Sequence, residues 1–415
     1  MASYPKNLQY YLKSLTGYSR KKYQLTPNIS KTQVVNNGAK IIVKLPSNSI
    51  VDWDTFTMFF KGTANPGHKF SKNIESIIAN VQVEANGGFL DDGVQKYNLL
   101  QRRLFDATLG DKLLQRSKLH GSIVAGVVPG ASNTVFTPAQ YAVNNWMGYV
   151  GTSQPRCQDL SILGDVSVHI TLAGPEVLIA NSSAVSPGFS LTDIYFTVET
   201  IQIQDGNYYD AISERLSSEN NPIEIPFQAW RMFSPGQTSL TQTTQGTLST
   251  SSLDVLVGTY QVTGLNSMAV NSNLASSTWF QTGSANITNS RFQINSKYYP
   301  DYQQTPAETY IDTLNAFGLS QDALGAPDTC GGTSGLDNNI ITLADWQASQ
   351  FTSVLRLNHP TSGEDRVKSG LNLLGTNATI AFETNGTEAS ITPVLFAGMT
   401  KVVEVGKFKQ LNVVQ

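Results

Sequence analysis

Hydrophobic and polar residues alternate with a period of two along most of the chain from residue 39 onwards, which is the pattern of half-buried β-strands. The alternation marks eleven stretches, at 39–46, 54–63, 74–88, 164–174, 191–203, 221–234, 253–265, 290–302, 350–359, 377–386 and 390–406. The third stretch ends in Asn86-Gly87-Gly88, a hairpin signal because Asn and Gly tolerate positive φ. The pattern therefore predicts a chain built mainly of β-strands.

A helical period interrupts the strands in a few places. Residues 94–110 place Tyr97, Leu100 and Leu104 on one face. Residues 305–319 begin with Thr305, Pro306 and Glu308, the residues of a capping box with proline in the first turn. Residues 137–150 and the first residues of the chain are predicted as further short helices.

The stretch from Leu191 to Leu216 reads as a long strand that turns into a helix near the middle of the chain. Ile194, Phe196 and Val198 share one face of the strand, whereas Ile201 and Ile203 have the opposite parity. Because a slip of one residue moves every later side chain to the other face, we expect a bulge near Glu199–Thr200 or a change of packing partner there.

The two halves of the chain resemble each other weakly. Leu163-Gly164 opens LGDVSVHITLAG, and Leu374-Gly375 opens LGTNATIAFETNG; a gap and a long final strand follow each. Two β units of about 200 residues, each with a helix between strands, are the simplest arrangement. The predicted domains are an N-terminal arm at 1–33, a first unit at 34–207, a helical linker at 208–221 and a second unit at 222–415.

The composition is poor in charge. The chain has 415 residues, of which 14% are charged, with a net charge of −3, against roughly 25% charged residues in typical soluble proteins. Such a balance disfavours a nucleic-acid binder, which would be far more basic. It suits long strands and large surfaces buried against other subunits.

The N-terminal arm is the exception. Its first 30 residues contain five basic residues, no acidic residue and five of the 16 tyrosines. We expect it to contact anionic lipid, nucleic acid or a neighbouring subunit rather than to act as a solubilising tail. The predicted contact residues are Lys6, Lys13, Arg20, Lys21, Lys22, Tyr10 and Tyr11.

The sequence contains no recognisable catalytic, cofactor or metal motif. Phosphate-binding loops, the zinc-protease motif and the nucleophile elbow are absent. His169 lies in an alternating strand and is expected to be structural, Asp91-Asp92 to lie in a solvated turn, and Glu75 and Glu84 to lie on a half-exposed β face. Cys157 and Cys330 form neither a disulfide framework nor a metal-type pair. We therefore expect no enzyme activity, no cofactor and no small-molecule substrate.

Four stretches carry a resemblance to a known family: IIVKLPSNSIVDWDTFTMFFKGT, NIESIIANVQVEANGGFLDDGVQKYNLLQRRL, LGDVSVHITLAG with LTDIYFTVETIQI, and INSKYYPDYQQTPAETYIDTL. In their order and spacing they resemble the double jelly-roll major capsid proteins of the adenovirus and tailless-phage lineage, above all those of virophages and Polinton-like viruses. The resemblance implies an all-β fold: two eight-stranded jelly-roll β-sandwiches side by side, with short helices in the inter-strand loops. It also implies variable outer loops near 121–160 and 236–290.

The same resemblance implies a structural role in a DNA-virus virion. Three chains would form a pseudo-hexagonal homotrimer that tiles an icosahedral shell. The partners would be neighbouring capsomers, penton and minor capsid proteins and, through the arm, an internal membrane or the genome. Assembly would take place in the host cytoplasm or nucleus. The alternatives are a secreted β-sandwich glycan-binding module or glycosidase, and a minor capsid or penton protein.

Overall fold

A computed structural model describes most of the chain. The described residues are 18–28, 34–35, 38–65, 68–71, 73–108, 139–180, 188–203, 206–217, 222–234, 242–262, 278–280, 282, 287–317, 343–358, 370–375, 377–386 and 391–414. The predicted helix at the start of the chain lies outside them.

The described part of the first roll contains twelve strands: β1 Tyr18–Leu25, β2 Val34–Val35, β3 Lys40–Lys44, β4 Ile50–Ala64, β5 His68–Lys69, β6 Ile78–Ala85, β7 Gly88–Asp91, β8 Ala139–Val143, β9 Cys157–Asp159, β10 Val166–Leu172, β11 Ile179–Ala180 and β12 Phe189–Ile203. One sheet has the order β1-β12-β4-β8, with β2 and β9 pairing beside it. The facing sheet has the order β3-β10-β6-β7.

In the second roll the described residues form nine strands: β13 Ile223–Phe233, β14 Gln242–Leu248, β15 Leu253–Val262, β16 Ile287–Ile294, β17 Lys297–Gln304, β18 Thr352–Arg356, β19 Ala378–Gly386, β20 Ile391–Val405 and β21 Leu411–Val414. Its sheets have the orders β13-β20-β15-β18, with β21 beside β20, and β14-β19-β16-β17.

The two rolls have the same topology. When the eight main strands of each roll are numbered along the chain, both rolls give one sheet of order 1-8-3-6 and one of order 2-7-4-5, with every pair antiparallel. This order is that of a jelly roll, a sandwich made of two Greek keys. The predicted fold, two jelly rolls in one chain, is confirmed.

Among the described residues, six α-helices connect the strands: α1 Tyr97–Thr108, α2 Gly148–Thr152, α3 Leu160–Leu163, α4 Gly206–Ser217, α5 Pro306–Phe317 and α6 Leu343–Ser349. Helix α1 confirms the prediction at 94–110, and α5 confirms the prediction at 305–319. Helix α4 is the helix predicted to follow the long central strand. The capping box of α5 forms as predicted, since the Thr305 amide donates to the Glu308 carboxylate at 2.8 Å and the Glu308 amide donates to the Thr305 hydroxyl at 3.4 Å.

One segment is repeated between the rolls without insertion or deletion. We call residues 78–108 the first module and residues 287–317 the second module. Strand β6 and helix α1 begin and end 209 positions before β16 and α5, and β7 begins 209 positions before β17. Six of the 31 paired positions carry the same residue: Ile78/Ile287, Asn80/Asn289, Asn86/Asn295, Asp92/Asp301, Gln95/Gln304 and Ala107/Ala316.

The repeat extends to individual hydrogen bonds at the hairpin of each module. Asn86 and Asn295 both open the turn with positive φ, 51° and 55°. The Asn86 amide donates to the Asp165 carbonyl, and the Asp165 amide donates back to the Asn86 side chain, both at 3.2 Å. Asn295 makes the same two bonds with Thr379, at 2.7 and 3.1 Å. The same residue type thus joins the hairpin to the neighbouring strand in both rolls.

The irregularity predicted in the central strand lies at a register shift between β12 and β4. Thr197 pairs with Thr57, but Glu199 pairs with Asp52, so the extra residues belong to β4 and not to β12. At this shift the Thr55 hydroxyl takes the place of a backbone acceptor: it accepts a hydrogen bond from the Glu199 amide at 2.8 Å. Beyond this point Thr200 and Ile201 are both buried, which ends the strict alternation.

Three predictions about local structure are wrong. The stretch 137–150 is not one helix: Ala139–Val143 is strand β8, whose Tyr141 side chain packs in the core, and only Gly148–Thr152 is helical. Gln242–Leu248, expected in an exposed outer loop, is strand β14 of the second roll. Tyr18–Leu25, expected to belong to the N-terminal arm, is strand β1 and pairs with β12 along its whole length. In each case pairing with a neighbouring strand overrides a weak local signal.

Candidate functional site: the interface between the two rolls

In the described part of the chain, no cluster of reactive side chains marks a functional site. No group of three or more His, Cys, Asp or Glu residues that could hold a metal ion occurs among the described residues. In that same part, no helix is long and apolar enough to cross a membrane. The strongest concentration of buried polar contacts between distant segments is the interface of the two rolls.

Arg103 on α1 of the first roll is the central residue of this interface. Its side chain is only 1% exposed. It donates to the Thr259 hydroxyl at 2.9 Å and to the backbone carbonyls of Phe280 and Tyr260, all in the second roll. A buried guanidinium is tolerated only where several acceptors surround it. Arg103 therefore fixes the position of one roll relative to the other.

Lys96 makes a second polar contact across the interface. Its ammonium group donates to the Gln261 side chain at 2.6 Å. Burial lowers the pKa of Lys96 from its usual value, because the charged form loses hydration. Lys96 and Arg103 thus reach neighbouring residues at the end of β15 from the same side of the first module.

The edge strand β13 of the second roll is covered by the segment around α2. The Gln154 amide donates to the Pro226 carbonyl at 2.9 Å, and the Gln228 amide donates to the Thr152 hydroxyl at 2.8 Å. The rings of Tyr149 and Phe227 meet edge to face with centroids 5.2 Å apart. These contacts satisfy backbone groups that a free edge strand would leave available for pairing with another chain.

Asp91 holds α2 in place from within the first roll. Its carboxylate accepts from the Tyr149 amide at 2.8 Å and from the Gly93 amide at 2.9 Å. Burial raises the pKa of Asp91 above its usual value, and these two hydrogen bonds and the charge of Lys401 oppose that shift. The expectation that Asp91 lies in a solvated turn is wrong, because α2 and the second roll cover it; Asp92 is exposed.

Other candidate residues have structural roles. His169 lies 2.9 Å from the Ser167 hydroxyl and 3.2 Å from the Glu84 carboxylate within one sheet. Glu75, expected to be half exposed, is fully buried in a 3-10 turn, so that expectation is wrong. Neither residue lines either of the two grooves described below.

The predicted arm residues fall into two groups. Lys6, Lys13, Tyr10 and Tyr11 lie outside the described residues. Arg20, Lys21 and Lys22 lie in β1, the edge strand of the first roll. Arg20 pairs with Asp52 at 2.6 Å and with Glu199 at 3.7 Å, so acidic residues distant in sequence offset its charge. Lys21 and Lys22 are exposed.

Sequence reasoning did not identify Arg103 and Lys96. A signal was present in α1, since Arg103 follows Leu100 by three positions and therefore lies beside the apolar face of the helix. An arginine at such a position is placed to be buried. The acceptors in the second roll, more than 150 residues away, could not be foreseen from the sequence.

A groove of about 580 Å³ runs along the interface. Asn80, Gln82 and Val94 line it from the first module, and Trp230, Arg231 and Lys401 line it from β13 and β20. A second groove of about 450 Å³ lies on the second roll and is lined by Asn289, Arg291 and Gln303 of the second module and by Glu383 of β19. Both grooves are polar, and Asp91 and Asp92 also line the first of them.

Two jelly rolls joined by a buried polar interface define the class of double jelly-roll proteins. No family model matches the sequence, and no curated protein matches it. Solved structures do match. VP54 of the virus PBCV-1, fitted into a reconstruction of the virophage Sputnik, has a TM-score of 0.59 and 13% identity over 99% of each chain.

Two further structures agree with this match. A PBCV-1 capsid model has a TM-score of 0.61 and 12% identity over 99% of each chain. The Faustovirus major capsid protein has a TM-score of 0.58 and 9% identity, covering 96% of this chain and 92% of that chain. At such identities the likeness is one of fold. It confirms that this chain has the double jelly-roll fold of these capsid proteins.

Proposed function

We propose that the chain is a major capsid protein, a structural subunit that assembles into the shell of an icosahedral virus. The observation that carries this proposal is the pair of jelly rolls joined by buried Arg103, in a fold shared over nearly the whole chain with viral capsid proteins. A shell subunit requires a fixed angle between its two sandwiches, and buried polar contacts supply it. The low proportion of charged residues, 14%, suits wide lateral contacts between subunits.

In this proposal three copies form a ring of six sandwiches, and neighbouring rings, penton and minor capsid proteins complete the shell. The division into an arm at 1–33, rolls at 34–207 and 222–415 and a linker at 208–221 belongs to the proposal. The strand pairing within each roll and helix α4 at Gly206–Ser217 support it; strand β1 at Tyr18–Leu25 lies within the proposed arm and pairs with β12 of the first roll. Assembly in the host cytoplasm or nucleus is proposed on the same basis.

The mass of the purified full-length chain tests the proposal. Size-exclusion chromatography with light scattering is expected to give a species of three times 45.1 kDa, or multiples of it, at micromolar concentration. A monomer at every concentration and salt condition would contradict the capsid function.

We also propose that the arm contacts a membrane or the genome on the inner side of the shell through Lys6, Lys13, Tyr10 and Tyr11, with Lys21 and Lys22 at its base. Five basic residues without an acidic one support this. Deletion of residues 1–17 removes Lys6, Lys13, Tyr10 and Tyr11, leaves β1 intact and is expected to weaken salt-dependent binding to phosphatidylserine vesicles or DNA. Unchanged binding of both would refute the role of the arm.

A further inference from the structure

The second groove, on the second roll, gathers polar side chains from all four strands of one sheet at the same end. They are Thr243 near the start of β14, Asn289 near the start of β16, Gln303 near the end of β17 and Asn385 near the end of β19. Its volume of about 450 Å³ lies within the range of small-ligand sites, about 300 to 1,000 Å³. The groove is therefore large enough for a small polar ligand.

Arg291 is held in this groove from two sides. Its Nε atom donates to the Glu383 carboxylate at 2.7 Å, and its guanidinium carbon lies 3.7 Å from the centre of the Tyr298 ring. The side chains of Arg291 and Glu383 are only 19% and 22% exposed. Among the described residues, neither terminal nitrogen of Arg291 has an acceptor. Arg291 thus offers two oriented donors to a ligand in the groove.

Hydrogen-bond acceptors lie beside these donors. The Asn289 Oδ1 atom is buried and accepts no hydrogen bond from a described residue. Because buried polar atoms are nearly always hydrogen-bonded, this oxygen requires a donor from a molecule outside the chain. In the same groove the Asn385 amide group donates to the Gln303 side chain at 3.4 Å, which orients these two amides relative to each other.

The counterpart of this asparagine in the first module has the same property. Asn80 lines the groove between the rolls, and its Oδ1 atom is also buried without a donor among the described residues. The ion pair of the second groove is not repeated, because the strand pair that corresponds to it is Gln82 with His169. The second groove thus adds a charged pair of its own to an acceptor that both modules share.

The charges in the second groove decide the class of ligand. Arg291 alone would favour a carboxylate, sulfate or phosphate group. Glu383 lines the same groove and neutralises that charge, so it repels an anion as strongly as Arg291 attracts one. A hydroxyl group both donates and accepts hydrogen bonds. Donors and acceptors placed side by side therefore suit a neutral ligand rich in hydroxyl groups, which is the chemistry of a sugar.

We propose that the second groove binds a neutral sugar unit of a glycan. Arg291 donates to one ring hydroxyl, and Glu383 and Asn289 accept from others. This inference goes beyond the proposed capsid function and does not depend on it, because every residue of the groove belongs to one roll. It gives the chain a binding function in addition to its structural one.

Binding of the full-length chain to immobilised oligosaccharides tests the proposal. The array carries neutral glucose, galactose, mannose and N-acetylglucosamine oligosaccharides together with sulfated and sialylated ones, and we expect binding to neutral members. Isothermal titration calorimetry then gives the Kd of the best neutral oligosaccharide. We expect this Kd to change less than about twofold between low and high salt, because screening acts only on interactions between charges.

Two variants locate the sugar. Asn289→Ala removes an acceptor that has no donor among the described residues, so it should leave the melting temperature unchanged and raise the Kd about fivefold. Arg291→Glu combined with Glu383→Arg keeps an ion pair but exchanges the donor and the acceptor, and should raise the Kd at least about tenfold. Arg356→Gln, at an exposed position on β18 outside the groove, is the control and should leave the Kd unchanged.

The outcomes separate this inference from the capsid function. A wild type that assembles but binds no sugar on the array overturns the inference alone. Binding that is restricted to sulfated or sialylated sugars, or that is lost at high salt, assigns the groove to an anion and overturns it as well. A Kd that neither groove variant changes places the sugar elsewhere and has the same consequence. Neutral-sugar binding by a chain that never assembles supports the site and contradicts the capsid function.

Discussion

The buried carboxylate of Asp91 shows how a single residue supports the interface. It receives two backbone amides, one from the turn after β7 and one from α2, and α2 in turn covers β13 of the second roll. An ionised carboxylate in this position loses hydration that two hydrogen bonds and the nearby Lys401 only partly replace. Its ionisation should therefore affect stability.

The pH dependence of Asp91 follows from the direction of its pKa shift. Because the folded-state pKa is raised, the contribution of Asp91 to stability is largest at low pH and falls as pH rises from its unfolded value through the raised one. The free energy of unfolding of the wild type minus that of Asp91→Asn should therefore decrease as the pH rises above about 4, the usual value for an unfolded aspartate. Urea unfolding across this range measures it.

Asp92→Asn is the matched control, since it removes the same charge from the adjacent exposed position. The free energy of unfolding of the wild type minus that of Asp92→Asn should not show the decrease expected for Asp91→Asn. If the free energy of unfolding of the wild type minus that of Asp91→Asn increased with pH, the raised pKa assigned to Asp91 would be contradicted.

At the scale of single residues the sequence indicated Thr305, Glu308 and Asn86 correctly, because capping boxes and Asn-Gly turns depend on neighbours in the chain. It did not indicate Asp91, Glu75 or Arg103 as buried. Their burial is produced by segments far away in sequence, namely α2 for Asp91 and the second roll for Arg103. Local patterns carry no information about such partners.

The repeated hairpin contact is the clearest feature at the scale of secondary-structure elements. Asn86 and Asn295 each adopt a left-handed conformation and each exchange two hydrogen bonds with the segment beside the turn. The contact fixes the register of the hairpin against β10 or β19, and thus the face that its strands bury.

Two substitutions of Asn295 separate the contribution of its side-chain hydrogen bond from that of its left-handed backbone conformation. Asn295→Ala loses the side-chain hydrogen bond and strains the left-handed backbone, and should lower the free energy of unfolding by roughly 2 kcal/mol. Asn295→Gly loses only the hydrogen bond, and should cost about 1 kcal/mol. In the first roll, Asn86→Ala should likewise lower the free energy of unfolding more than Asn86→Gly does. Equal stability of the Ala and Gly variants would contradict this explanation.

Strands with strong alternation were predictable, whereas β8 and β14 were not. Strand β8 has only two buried side chains in alternation, Tyr141 and Val143, and follows a proline that suggested a helix. Strand β14 is rich in Thr and Gln and has the composition of a loop. Both become strands because β4 and β19 supply their hydrogen-bond partners.

The whole molecule depends on a fixed relation between the two rolls, and Arg103 is the residue that tests it. Arg103→Met removes a buried donor from three acceptors in the second roll and should lower the free energy of unfolding by about 3 kcal/mol. We also expect urea unfolding to separate into two transitions, because the rolls lose their strongest polar link. Arg215→Met, on the exposed α4, is the control and should change little. One cooperative transition with an unchanged midpoint would contradict the role of Arg103.

Electron cryo-microscopy of the purified full-length chain tests the central claim most directly. The account predicts rings of three chains that display six β-sandwiches. Single two-lobed particles at every concentration would contradict it.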